Sequence, residues 1–325
     1  MYSLRQDQRR TLRQRLGSLQ SNIVKKVTLE RYALHFNKLV QYISEIHRFW
    51  PTDGHSYDLV ISEYLEMLWD TGEPKTAATY TLASVHYYLP QLKKQLNLSW
   101  KLKTIWERLE LPCQAVPFTT DMLFGVMGWF FSQKLYYMAF GCAIAFNGLL
   151  RTGELLQLQV GDCRLTSEGW VLTIRSSKGG QRRLVQDETV IITDPLVSTL
   201  LVKLTRDRPL GDFLLKTSPS TFRTHWSKMR SALHLTQDRY IPYALRRGGA
   251  TWYFLHTGSF SKTLVRGRWQ HLKTCKLYIS QAQLALANQT LPPTAKHQLT
   301  YYHQLLSPHL VRWASQGRAE EDHRS

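Results

Sequence analysis

Three side chains have the chemistry to break and remake a phosphodiester. Arg151, in GLLRTGELLQL, and Arg246, in YALRRGGAT, each carry a planar guanidinium. That fork stays protonated and meets a phosphate through two hydrogen bonds. Tyr278, in GRWQHLKTCKLYI, carries a hydroxyl that could attack phosphorus. Such an attack has four needs. The phenol, ordinarily titrating near ~10, must give up its proton. The non-bridging oxygens gain charge and need fixed donors. The leaving 5′-oxygen needs a proton. The attacking oxygen must lie in line with the leaving group. Together the three residues suggest cleavage of nucleic acid through a covalent protein–phosphate link.

Further residues are candidates for the remaining needs. Glu154 follows Arg151 by three residues, on the same face if that turn is helical, and could hold Arg151 in position. Its plainer alternative is an exposed glutamate. Lys178, in SSKGG, falls at the tip of an expected hairpin and could protonate a leaving oxygen. Hairpin solubility is the alternative. Trp269 could pack on the phosphate and donate its indole N–H, although with ten tryptophans in the chain core packing is the default role. Tyr278 is one of sixteen tyrosines, so only its place after the two arginine segments raises it.

The elements that must position these residues are mostly helical. Leu29, Tyr32, Ala33, Phe36, Leu39, Val40, Ile43 and Ile46 recur every three to four residues, which predicts a long helix with Thr28 as its N-cap. Further helices are expected over about 58–69, 74–89 and 99–109, making a helical domain over 28–113. Pro112 and Pro117 bracket a linker, LPCQAVPFTTD. A second domain, 114–310, opens with helices at about 120–132 and 135–149 and a short turn or helix through Gln157. Val171–Arg175 reads as a strand, Gly179-Gly180 as a turn, and Arg183–Val185 as the return strand. Helices are expected again over about 195–205, 219–233, 243–257, 259–266 and 272–280. A basic arm, 1–27, and a polar tail, 311–325, flank the two domains. The expected class is mainly α with a small β-hairpin or sheet.

Composition narrows the partner. The chain has 325 residues and a formal net charge of +18, more than solubility requires, which fits a polyanion. A ribosome-associated or membrane-surface factor is the alternative. Seven Lys/Arg and one Asp fall within residues 1–27. That arm could touch DNA, serve as a nuclear address, or be a solvated tail. Cys113, Cys142, Cys163 and Cys275 show no metal-type spacing and read as reduced, packing thiols of an intracellular protein. No metal or other cofactor is expected. The apolar stretch Phe124–Leu150 is broken by Ser132, Gln133 and Lys134, so two buried helices are expected rather than a membrane span.

With these segments in place, the chain resembles the tyrosine recombinases, or phage integrase family. The family's G-L-R-x-x-E-L is met by GLLRTGELL, with one extra Leu before Arg151. Its H-x-L-R-H-x-x-A-T is met by YALRRGGAT at 243–251. Its third motif, L-G-H with the nucleophile nine residues on, is met by Trp269 standing nine before Tyr278. Arg246 precedes Trp269 by 23 residues and Tyr278 by 32, close to the family's intervals. The direct match covers about 119–280.

The resemblance implies a helical core-binding (SAM-like) domain followed by a mixed α/β catalytic domain, with duplex DNA as partner. It implies Arg151 and Arg246 as the phosphate clamp, Lys178 as general acid and Tyr278 as nucleophile. Tyr243 stands where His is usual, and is a poor base near neutral pH. Trp269 fills a place that Flp- and Cre-like members also give to Trp. Arg247, where His is common, would add a phosphate contact or a supporting bond. His271 rivals Trp269, and Tyr253, Tyr301 and Tyr302 rival Tyr278. The resemblance further implies a 3′-phosphotyrosine intermediate, a homo-tetramer on two DNA sites and a mobile element as source. The compartment would be the nucleus in a eukaryote, otherwise the cytoplasm or nucleoid. Residues 281–310 would dock on a neighbouring copy or cap their own domain. Two other readings stay open: a non-catalytic DNA-binding relative, and an enzyme like the type IB topoisomerases.

Overall fold

Apolar residues at helical spacing become helix over most of the chain. The computed structural model describes residues 6–16, 18–19, 22–47, 50–111, 115–175, 187–235, 237, 239–279 and 281–322. It divides into two compact units, Met1–Pro112 and Cys113–Ser325.

The first unit consists of α1 (Gln6–Leu16), α2 (Lys26–Ile46), α3 (Gly54–Asp70), α4 (Lys75–Tyr88) and α5 (Asn97–Leu109). Leu39, Ile43, Ile61, Leu65, Leu82, Val85 and Trp106 meet in its core. Thr28 does not cap α2, which already begins at Lys26 with no side-chain bond at Lys25. α3 starts four residues before the expected 58 because Asp53 caps it. Its carboxylate accepts from the backbone of His55 at 2.9 Å and of Ser56 at 3.1 Å. α5 takes its cap from elsewhere in the bundle. Buried Asp58, on α3, accepts from the backbone N–H of Leu98 at 2.8 Å and of Ser99 at 2.9 Å, and from the Ser99 hydroxyl at 2.6 Å.

The second unit is built around α6 (Thr120–Ser132) and α7 (Tyr136–Asn147). Thr119 caps α6, accepting from the Met122 N–H at 3.2 Å. Every residue from Met138 to Asn147 is buried, so α7 is enclosed on all sides, as its unbroken apolar sequence predicts. Among the described residues no helix is long and apolar enough to cross a membrane.

After α8 (Thr152–Gln157) come three antiparallel strands in the order β1 (Cys163–Thr166), β2 (Gly169–Arg175), β3 (Asp187–Ile192). Trp170 pairs with Ile192, Leu172 with Val190 and Ile174 with Glu188, all on the buried face. The expected strand at Val171–Arg175 is therefore present. β1 was not expected from the sequence. The expected turn at Gly179-Gly180 and return strand at 183–185 lie outside the described residues.

The chain continues through α9 (Pro195–Thr205), α10 (Pro219–Ala232), α11 (Tyr243–Thr257), α12 (Phe260–Gly267), α13 (Leu272–Tyr278), α14 (Gln281–Gln289) and α15 (Pro293–Asp322). α15 packs on α6 and α9 of its own unit. Of the two roles open to residues 281–310, the structure therefore has this helix covering its own core. The helix also continues past the expected domain end at 310. α15 runs on to Asp322, burying Leu299, Leu306, Leu310 and Trp313 along one stripe, and the Trp313 carbonyl accepts from the Thr199 hydroxyl at 2.7 Å.

Candidate active site

α11 carries Tyr243, Arg246 and Arg247 on its first two turns. Gly248 and Gly249 let this helix lie against backbone. A Cβ on Gly248 would stand 2.1 Å from the Phe118 carbonyl oxygen, and one on Gly249 would stand 2.0 Å from that of Phe146. Only glycine permits that approach. The helix is thereby pressed toward the end of α7, and Arg246 reaches the segment that leads into α8.

Arg246 is fully covered, with 0% of its surface exposed. Its guanidinium donates to the Leu149 carbonyl and, at 2.6 Å, to the Gly267 carbonyl. The Trp269 ring centre lies 4.9 Å from it and the Tyr278 ring centre 5.5 Å from it. Burial, with Arg268 and Arg151 close by, pulls the guanidinium down to about 9, which leaves it a cation at neutral pH.

Glu154 is the hub of this cluster. It is 7% exposed, and its carboxylate pairs with the Arg151 side chain, with Arg268 at 2.6 Å and with Arg246 at 3.7 Å. The same carboxylate accepts from the Arg151 backbone N–H at 2.8 Å, so Arg151 is held by its main chain and its side chain together. Burial pushes the Glu154 carboxyl up. Arg268, Arg246 and Arg151 pull harder the other way, and the net position is below the ordinary value. The alternative of an ordinary exposed glutamate is excluded by its burial.

Tyr278 ends α13, and its ring meets those of Trp269 and Tyr243 at centroid separations of 4.6 and 5.7 Å. Its hydroxyl is hydrogen-bonded to the Tyr243 hydroxyl. Its backbone is tied to α11. The Leu277 carbonyl accepts from Arg247 at 3.1 Å, and the Tyr278 carbonyl accepts from the Thr251 hydroxyl at 3.1 Å. Arg247 thus supports the segment bearing Tyr278. Burial raises the Tyr243 phenol, against the opposing pull of Arg246, Arg151 and Arg247, so it keeps its proton at neutral pH. The Trp269 ring is buried, and its indole N–H has no hydrogen-bond partner among the described residues. Lys178 lies outside the described residues.

The rivals sit elsewhere. His271 is exposed ahead of α13. Tyr253 stacks under Arg266, 4.7 Å away, and Tyr301 and Tyr302 pack on each other along α15. Among the described residues no cluster of His, Cys, Asp and Glu is placed to hold a metal. Beside Tyr243 opens a cavity of about 1020 Å³, lined in part by Thr152, Gly153, Lys216, Ser218 and Arg223.

Sequence reading missed Arg268, a member of the cluster. Its side chain is 8% exposed and bridges Glu154 to Glu188 of β3, 3.6 Å away. It also donates to the Gly148 and Leu149 carbonyls at 3.3 Å. A signal was there to find. The alternation of DETVII puts Glu188 on the same face as Val190 and Ile192, and a carboxylate on a buried strand face needs a cation or several hydrogen-bond donors.

No protein-family model matches this sequence, and no curated protein matches it. Solved structures do match in fold. The XerH site-specific recombinase bound to difH substrate, before cleavage, superposes with a TM-score of 0.58 at 15% identity, over 82% of this chain and 80% of that one. The Tn1549 transposon integrase in complex with transposon right end DNA superposes with a TM-score of 0.57 at 12% identity, over 82% of this chain and 94% of that one. The chain shares their fold. It is mainly helical with one small antiparallel sheet, the class expected from the sequence.

Proposed function

We propose that this protein is a tyrosine recombinase that cuts and rejoins duplex DNA, with Tyr278 as nucleophile. One observation carries the reading: Arg151 and Arg246, from separate segments, pair with one buried carboxylate, Glu154, and the ring of Tyr278, from a third, lies 5.5 Å from the Arg246 guanidinium. Arg151 and Arg246 bind the non-bridging oxygens, and Glu154 holds both in register. Trp269 offers its unpartnered N–H to the same group. Lys178 protonates the leaving 5′-oxygen. Tyr243, a neutral phenol hydrogen-bonded to Tyr278, orients the nucleophile.

In the arrangement seen, the Tyr278 and Trp269 rings cover the Arg246 guanidinium. Phosphate entry therefore requires the Tyr278 ring to swing off Arg246, which also frees its hydroxyl from Tyr243. Attack leaves a 3′-phosphotyrosine and a 5′-hydroxyl, and a 5′-hydroxyl from a second DNA reverses the bond. The phosphodiester's energy is conserved in the tyrosyl link, so no nucleotide cofactor is needed. The fold neighbours, a site-specific recombinase and a transposon integrase, support DNA as partner and a mobile element as source. A homo-tetramer on two sites, acting in the nucleus or nucleoid, completes the proposal. The basic arm at 1–27 and the helical unit at 28–113 add DNA contacts.

The test uses duplexes of randomised sequence, nicked so that a cleaved strand end diffuses away. Wild type is expected to accumulate a detergent-stable DNA adduct, and Tyr278→Phe none. Equal binding by both with no adduct from either favours a non-catalytic DNA-binding relative, the reading that Tyr243 in place of His keeps open. Adduct formation with supercoil relaxation but no recombinant product favours a topoisomerase.

A further inference from the structure

Arg268 stands in a conformation that its residue type disfavours. Its φ is +58°, in the left-handed region that costs an L-residue with a Cβ and not a glycine. In the third motif, L-G-H, this is the place of the glycine. Here the chain keeps a large cation there and buries it. Each residue of the turn reaches the same guanidinium cluster. The Gly267 carbonyl accepts from Arg246 at 2.6 Å, the Arg268 side chain pairs with Glu154 at 2.6 Å, and the Trp269 ring lies 4.9 Å from the Arg246 guanidinium. Arg268 also reaches the sheet, through Glu188 on β3 at 3.6 Å. Backbone strain retained where the surrounding contacts over-determine it is a pointer to function.

We infer that Arg268 is a positioning residue for strand cleavage: by tying Glu154 of α8 to Glu188 of β3, it fixes the carboxylate with which Arg151 and Arg246 both pair. It touches no reacting atom. Without it, Glu154 keeps its bond to the Arg151 backbone but loses its tie to the sheet, and Arg246 loses a fixed reference. The inference rests on the proposed cleavage reaction.

Arg268→Gly removes the cation and relaxes the turn, while Arg268→Lys keeps the charge and loses the fork. If the glycine variant fails to give a cooperative melt, the lysine variant carries the test. Both are compared with wild type on a nicked duplex obtained by covalent capture, carrying either an ordinary phosphate or a methylphosphonate at the cleavage position. The methylphosphonate is uncharged, so its cleavage depends less on a well-set pair of cations. Arg268→Gly is expected to slow adduct formation about 100-fold on phosphate, since a displacement near 1 Å can cost that much. The loss on methylphosphonate is expected to be less than about tenfold, with DNA affinity within about twofold of wild type on both. A merely structural residue would slow both substrates alike. Unchanged rates, or equal slowing on the two linkages, overturns the role of Arg268 and leaves the enzyme assignment standing. Failure of wild type to form any adduct overturns the enzyme assignment, and this inference with it.

Discussion

Each unit of this protein buries a carboxylate near the start of a helix, and the two are satisfied in opposite ways. Asp58 takes neutral donors, two backbone N–H groups and a serine hydroxyl, and by doing so completes the first turn of α5. Glu154 takes guanidiniums, from Arg151, Arg268 and Arg246. Among the described residues, the second group with Glu188 holds three guanidiniums against two carboxylates. The Asp58 group is complete with its own chain. Among the described residues, the Glu154 group has more guanidiniums than carboxylates, an excess that suits the proposed phosphate site. A buried carboxylate alone therefore says little, and the charge of what surrounds it separates a helix cap from the proposed binding centre.

The largest expected contrast comes from Glu154→Gln. Removing one partner of a buried ion pair typically costs about 3–5 kcal/mol, so the free protein should melt markedly earlier, and bound DNA should recover more stability than it does in wild type. The effect is also pH-dependent. The Glu154 carboxyl sits below its ordinary value when folded, so its stabilisation is complete above that ordinary value and is lost as pH falls through the folded one. Wild type should therefore lose stability more steeply than Glu154→Gln below about pH 4.5, and parallel acid limbs in thermal melts would contradict the pairing. Next is Arg246→Ala, expected to slow adduct formation by about 10²–10³ while DNA binding weakens much less. Loss of binding and rate in equal proportion would place Arg246 in general DNA contact instead.

Asp58→Ala should cost about 1–3 kcal/mol in a denaturant titration, the usual penalty for unsatisfied donors, with no change in the cleavage rate of bound DNA. A slowed cleavage step would blur the distinction between the two carboxylates. The smallest effect is expected from Tyr243→Phe, which removes one hydroxyl bond to Tyr278. A loss of about tenfold in single-turnover rate is expected. A loss as large as that of Arg246→Ala would make Tyr243 an obligatory proton carrier.

Much of this fold was legible because helices advertise themselves by period. The buried stripe of α2 and the unbroken apolar run of α7 were both read correctly in kind. What escaped had weaker local signals. β1 is four residues long with only Cys163 buried, so alternation had nothing to act on. C-terminal helices were expected up to 310, and the polar composition beyond it masked the continuation of α15 through buried Trp313 to Asp322. Within the site, Arg151, Arg246, Trp269 and Tyr278 were found by type and interval, and the structure brings them together. Arg268 was not found, because its partners lie on α8 and β3, far from it in sequence. The cap of α5 by Asp58 is another case of local sequence lacking the answer, since the acceptor arrives from a different helix.

The most direct test of the central claim is to digest the trapped protein–DNA adduct and identify the residue that carries the nucleotide. The account predicts a single modified peptide, with the 3′-phosphate esterified to Tyr278. Attachment at Tyr243, Tyr253, Tyr301 or Tyr302, or persistence of the adduct in Tyr278→Phe, would contradict it.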